Sequence, residues 1–236
     1  MSSSVPVAGS HNRLINHLPR KDRNDLLSHC KIVPLVPGSI LGEADHVIQS
    51  VYFPLSGLIS LMEPMRGHKA MEMGLIGNEG MLGATMVLGI KRAPMHSVAE
   101  GAGTALRMTS EDFLEALDRS PTLKQTLNRY LYVTLLQASR TTACTHFHNI
   151  ETRLARRLLM THDRVGADEL HLTHKFLAQM LGVRRSGITV ATRDLQGRHL
   201  IQHTRGRISI LDRPGLENAC CTCYDAMTRN YSNWLT

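Results

Sequence analysis

Thr173-His-Lys-Phe-Leu-Ala-Gln-Met-Leu-Gly-Val-Arg-Arg-Ser-Gly-Ile-Thr-Val-Ala-Thr-Arg-Asp-Leu-Gln196 is the stretch that decides the fold. It reads as two short helices joined by a tight turn. Thr173 is placed to cap the first, its hydroxyl oxygen accepting an orphan N–H of the opening turn. Leu177, Met180 and Leu181 repeat at helical spacing and form a buried stripe. Gly182 follows, where a left-handed residue ends a helix without steric cost. The second helix is expected to start near Arg184, with Ile188, Ala191 and Leu195 on its buried face. Its other face carries Arg184, Arg185, Ser186, Thr189 and Arg193. A short, cationic, hydroxyl-bearing face suits the DNA major groove, where Arg pairs with guanine and Ser or Thr reaches bases or phosphates. The alternative is an ordinary helical hairpin with a solvated basic face.

The residues that follow weigh against that alternative. Leu200-Ile201 is a short apolar pair, Arg205-Gly206-Arg207 is a turn flanked by arginine, and Ile208 and Ile210 alternate with Ser209. This is the strand period, and it predicts a small β-hairpin, or wing, directly after the second helix. The segment from Thr173 through Gly182, the Val183-Arg184-Arg185-Ser186 helix start and the Leu200-Ile201…Arg205-Gly206-Arg207-Ile208 wing resemble the C-terminal domain of Crp/Fnr bacterial transcription regulators. The resemblance implies a winged helix-turn-helix, with Arg185 where the family's base-reading arginine falls. It implies base or phosphate contacts for Arg184, Ser186, Thr189 and Arg193, and backbone contacts for Thr173, Lys175 and Arg207. The family's usual Glu after the reading arginine is Ser186 here, and a second arginine further along is Val190, so its familiar operator does not carry over.

Charge points the same way. The 236 residues carry a formal net charge of +7. From Glu151 to Arg213 there are twelve Lys and Arg against six Asp and Glu. That concentration is expected of a nucleic-acid face. No apolar run approaches the ~20 residues that span a bilayer, and Met1-Ser-Ser-Ser-Val-Pro lacks the features of a secretory signal. A cytoplasmic location is expected, with the five cysteines reduced.

Upstream, Met1 to His11 reads as a disordered arm and Arg13 to Cys30 as a helical segment. From Lys31 to Met108, short apolar runs alternate with Gly and Pro: 32–35, 38–41, 51–54, 57–62, 69–76, 83–90 and 96–108. Turn signals between short strands predict an antiparallel roll. In the resembling family it is the cyclic-nucleotide-binding-like β-roll, matched chiefly at Val51-Tyr52-Phe53-Pro54…Ser56-Gly57 and Gly80-Met81-Leu82-Gly83. Ser110 opens a short helix, and Ser120-Pro121 begins a long one. In that helix Leu123, Leu127, Tyr130, Leu131, Thr134, Leu135, Ala138, Thr141, Thr142 and Thr145 recur at three-and-four spacing. Such a stripe fits packing on a symmetry mate, the alternative being packing on its own roll. Asn149 is placed to cap a helix over 150–163, Val165 to Leu172 reads as a strand pair, and Pro214 to Tyr224 as a last helix before a loose tail from Asp225.

The expected organisation is α+β: a β-roll sensor-like domain over 12–119, a dimerisation helix over 120–148 and a winged helix-turn-helix over 149–224. The expected partners are double-stranded DNA and a second copy of the chain. RNA polymerase and an unidentified small-molecule effector are left open, and no membrane partner is expected.

Cyclic-nucleotide gating is not expected. The family signature is a Gly-Glu pair followed by Arg-Ser/Thr-Ala, which cradles the phosphate and ribose. Here Glu79 precedes Gly80, and Arg92 is followed by Ala93-Pro94, which removes a hydroxyl and a backbone donor. No metal or other cofactor is expected. Cys220-Cys221-x-Cys223 read on one helix would point its adjacent residues about 100° apart. The pairs His146-x-His148 and His171-x-x-His174 lack an obvious third ligand, and none of His46, His68 and His96 stands out as a haem ligand. No catalytic residues are expected, since the chain has no Gly-Lys-Ser/Thr loop and no defensible Ser-His-Asp set. The alternative function is a cyclic-nucleotide or other small-molecule sensor acting through a protein partner.

Overall fold

The computed structural model describes residues 12–64 and 70–235. The arm expected over Met1 to His11, His68, and the start of the strand expected at Lys69 lie outside them. Two compact units emerge among these residues: 12–62, 74–134 and 232–235 make the first, and 63–64, 70–73 and 135–231 the second.

The first unit opens with α1 (Arg13–Asn16) and α2 (Arg20–Ser28) instead of one helix over Arg13 to Cys30. Pro19 makes the break, because its ring disfavours helical geometry at the residue before it. Five antiparallel strands follow: β1 (Lys31–Leu35), β2 (Ile40–Gly42), β3 (Ser50–Glu63), β4 (Met71–Ile76) and β5 (His96–Thr109). Their order is β1-β5-β3-β4, with β2 also on β5. The runs 51–54 and 57–62, expected as two strands, are one strand, β3, whose register against β5 shifts between Pro54 and Leu58. Gly57 makes the bulge possible at φ +74°, and opposite it a Cβ on Gly103 would stand 2.3 Å from the Ser56 carbonyl oxygen. The strand expected over 83–90 is instead a 3-10 turn, Ala84–Leu88, held between left-handed Gly83 and Gly89. Phe53, Leu106, Met108 and Phe113 fill the core.

After α3 (Ser110–Arg119) comes α4 (Pro121–Phe147). Its stripe divides. Leu123, Leu127 and Tyr130 are buried in the first unit, with the Tyr130 hydroxyl 3.5 Å from the Met81 carbonyl oxygen. Leu135, Ala138, Thr142 and Thr145 face out, and Leu131 is half-buried.

The second unit holds α5 (Ile150–Val165), β6 (Glu169–Leu170), α6 (His174–Leu181), α7 (Arg185–Gly197), β7 (Ile201–Thr204), β8 (Arg207–Ile210), α8 (Arg213–Ala219) and most of α9 (Cys223–Leu235). The Asn149 side chain accepts from Thr152 N at 2.9 Å and starts α5. The link expected as a strand pair supplies one short strand, and the sheet runs β6-β8-β7. Leu154, Leu158, Leu177, Ile188, Leu195 and Ile208 are fully buried in one cluster. Each such side chain contributes about 1.5–3 kcal/mol of apolar burial. The last helix does not run through Tyr224. It stops at Ala219, resumes at Cys223 and continues where a loose tail was expected.

Candidate nucleic-acid interface

The turn before α7 is set by local chemistry. The Thr173 hydroxyl oxygen accepts from Phe176 N at 3.2 Å and caps α6. Gly182 ends α6 at φ +63°, its N–H returning to the Gln179 carbonyl. Arg153, on α5, donates to the Leu181 carbonyl oxygen. A cation here meets the negative end of the α6 dipole and satisfies an orphan acceptor. Ile188, Ala191 and Leu195 turn inward, as their spacing predicts. The approach of α7 to α5 is close: a Cβ on Gly187 would stand 2.7 Å from Ile150 Cδ1.

The outward side of α7 carries Arg184 at the cap position, then Arg185, Ser186, Thr189 and Arg193, all exposed. Val190 joins them at 47% exposure. Lys175 on α6 is exposed too. The wing turn is the two-residue connection Arg205-Gly206, at φ +47° and +83°, between the paired Thr204 and Arg207. Positive φ at both central positions matches the twist of a tight hairpin. Arg207, expected on the phosphate backbone, stands 3.4 Å from Glu169 Oε1 in an exposed ion pair. Arg205 at the tip is exposed.

Sequence alone marks His174 only as a candidate metal ligand and gives His203 no role. The rings of His174, on α6, and His203, on β7, stack with centroids 4.3 Å apart. His174 Nδ1 lies 3.1 Å from Thr189 Oγ1, while that hydroxyl sits 3.1 Å from the Arg185 carbonyl oxygen. This contact ties the helix-turn-helix to its wing beside the cationic face. Burial, then the neighbouring His203 and Arg185, lower the His174 pKa from its ordinary value.

The charge reading needs correction. Arg153, Arg156, Arg157 and Arg164 are all buried. Arg157 pairs with Glu72, and Arg164 Nη1 donates to the Met160 carbonyl oxygen at 2.9 Å. Arg213 binds Asp163 Oδ1 and the Tyr224 hydroxyl at 2.7 and 2.8 Å. A third of the basic residues counted between Glu151 and Arg213 are therefore core members, not groove-facing ones.

The cysteines also stand differently. Cys220 and Cys221 lie in the break between α8 and α9, so Cys221 and Cys223 do not share one helix. Both meet Cys144, in the last turn of α4, and His148, in the α4–α5 link. The four ligand atoms lie within 4.8 Å of one another. Cys144 Sγ is 3.5 Å from Cys221 Sγ, and Cys223 Sγ is 3.8 Å from His148 Nδ1. Burial pushes the Cys144 thiol up to about 12 and raises Cys223. In the roll, Arg92 points Nη1 at the Asp45 carbonyl oxygen at 2.5 Å, and Glu79 Oε1 accepts from Gly77 N at 3.3 Å.

Residues 152–219 match the sequence model of the Crp-like helix-turn-helix domain. Solved structures share the fold over about four fifths of the chain. FixK2 from Bradyrhizobium japonicum is 12% identical, with a TM-score of 0.68, over 81% of this chain and 98% of that one. The global regulator CLP of Xanthomonas campestris is 14% identical, with a TM-score of 0.66, over 81% of this chain and 99% of its own. TTHA1359, a Crp/Fnr-family transcriptional regulator from Thermus thermophilus, is 21% identical, with a TM-score of 0.65, over 80% and 97%. No curated protein sequence matches. The chain therefore carries a Crp-like helix-turn-helix domain over residues 152–219, on a fold shared with those solved structures. No helix among the described residues is long and apolar enough to cross a membrane.

Proposed function

We propose that the chain is a homodimer that reads a near-palindromic duplex through α7, one copy in each of two successive major grooves. The supporting observation is the division of α7: Ile188, Ala191 and Leu195 are buried while Arg185, Ser186, Thr189 and Arg193 face solvent. Arg185 has the position and donor geometry to pair with a guanine edge. Arg184, Ser186, Thr189 and Arg193 read flanking bases or hold phosphates, and Thr173, Lys175 and Arg207 hold the backbone. Arg207 leaves Glu169 to do so, a small loss, because exposed ion pairs contribute about 0–1 kcal/mol.

Dimerisation rests on Leu131, Leu135, Ala138, Thr142 and Thr145. They are spaced four, three, four and three apart, a coiled-coil seam, and Leu135 is 64% exposed. Two-fold readers of this class need half-sites about one helical turn apart. Selection of bound duplexes from a random pool tests the reading: an inverted repeat with that spacing is expected, and recovery of no consensus would refute it. The roll is read as not gated by cyclic nucleotide, because Arg92 and Glu79 are engaged by Asp45 and Gly77. Calorimetry with cyclic AMP or GMP is expected to give no heat of binding. A regulator answering to another small molecule is the second reading, favoured by the five-stranded antiparallel sheet that precedes the long helix. It predicts a change in DNA affinity on titration with the right metabolite.

A further inference from the structure

We propose that Cys144, His148, Cys221 and Cys223 bind one zinc ion that ties the α8–α9 break to the α4–α5 link. The residue types are those of a structural zinc site, three thiolates and one imidazole. Their spacing fits as well. With Zn–S near 2.3 Å and Zn–N near 2.0–2.1 Å, a tetrahedral ion separates its ligand atoms by about 3.5–3.8 Å. The Sγ–Sγ distance of 3.5 Å and the Sγ–Nδ1 distance of 3.8 Å are of that size, and no pair exceeds 4.8 Å. An iron–sulfur cluster places its own irons and sulfides inside the ligand cage and needs a wider one.

A second observation comes from α5. Arg156 is 5% exposed, and among the described residues its Nε has no hydrogen-bond partner. Nη1 reaches only neutral groups, Thr141 Oγ1 at 3.3 Å and Met227 Sδ at 3.5 Å. A buried guanidinium without an anion is costly. Its charge acts on Cys144, Cys221 and Cys223 in favour of their thiolates. On zinc binding, three S–H bonds release their protons to solvent, and neutral His148 donates a nitrogen lone pair. The resulting site carries one negative charge, which Arg156 neutralises. Zinc changes no oxidation state, so no electron donor or acceptor is required.

The fold around the site then has a reason. The chain leaves helix after Ala219 and re-enters it at Cys223, which lets Cys221 and Cys223 converge on one point while Cys220 stays outside the four. His148 lies beside Asn149, the cap of α5, so the ion would hold the joint between the long helix and the DNA-binding domain.

The test is metal content of the full-length, untagged protein, which is independent of DNA binding. Elemental analysis is expected to find about one zinc per chain. Cys221→Ser and Cys223→Ser are each expected to weaken zinc binding at least about tenfold, while Cys220→Ser keeps it. Should the serine variants fail to fold, wild-type protein loaded with cobalt(II) carries the test: thiolate-to-cobalt charge transfer with tetrahedral d–d bands supports the site. Octahedral cobalt spectra, iron with acid-labile sulfide, a Cys144–Cys221 disulfide in freshly purified protein, or zinc retained at full affinity by Cys221→Ser would each overturn it.

Discussion

Two helices of the second unit, α5 and α7, are both rich in arginine and use it in opposite ways. On α5, Arg153, Arg156, Arg157 and Arg164 are buried and serve the fold. On α7 and its cap, Arg184, Arg185 and Arg193 face solvent. The difference lies in what surrounds each helix. Neighbours on several sides of α5 offer its guanidiniums the Leu181 and Met160 carbonyls and the Glu72 carboxylate. Only one face of α7 is covered, so its arginines point away from the protein. Charge counted along a sequence is therefore not an electrostatic footprint until burial has been subtracted.

The comparison can be broken at both helices. The largest effect is expected at α5. Arg157→Ala breaks a buried ion pair and should destabilise the protein by about 3–5 kcal/mol, measured by denaturant unfolding. Arg185→Ala should leave unfolding within about 0.5 kcal/mol of wild type. Binding to the selected duplex should weaken by about 1–3 kcal/mol, with relaxed preference at one base pair. If the two variants exchange phenotypes, the roles of the helices are reversed.

Smaller effects sharpen the picture at the wing. Arg205 holds φ +47°, where most side chains are strained but Asn, whose short amide hydrogen-bonds locally, is tolerated. Arg205→Asn should stabilise the fold by up to about 1 kcal/mol, while losing a cation at the wing tip and so lowering the salt dependence of DNA binding. The smallest effect is expected at His174, whose pKa lies below its ordinary 6.5 through burial, His203 and Arg185. Well above pH 6.5 the group is neutral in folded and unfolded chains and contributes no pH dependence. As the pH falls below 6.5 the unfolded chain takes the proton first, so stability declines. Thermal melts from pH 7.5 to about 5 should show a shallower decline in His174→Asn than in wild type.

The parts legible from sequence were those fixed within a few residues. Thr173, Gly182 and Asn149 act as caps where they were expected, and the period of Ile188, Ala191 and Leu195 marks the buried face of α7. Features that depend on distant chain were missed. Burial of the α5 arginines needs Glu72 and Leu181, and the stacking of His203 on His174 needs the wing folded back. The bulge in β3 needs Gly103 across the sheet. Two misses had local signals: Pro19, which breaks the first helix, and Thr222, three residues before Asp225, a helix-start pattern where α9 begins.

The central claim is that the exposed side of α7 reads duplex DNA. The most direct measurement is wild-type and Arg185→Ala affinity for the selected duplex and for a scrambled one, across a range of salt. The account predicts that both proteins weaken steeply as salt rises, and that wild type prefers the selected duplex while the variant loses most of that preference at every salt concentration. Equal discrimination by the two proteins, or binding indifferent to salt, would contradict it.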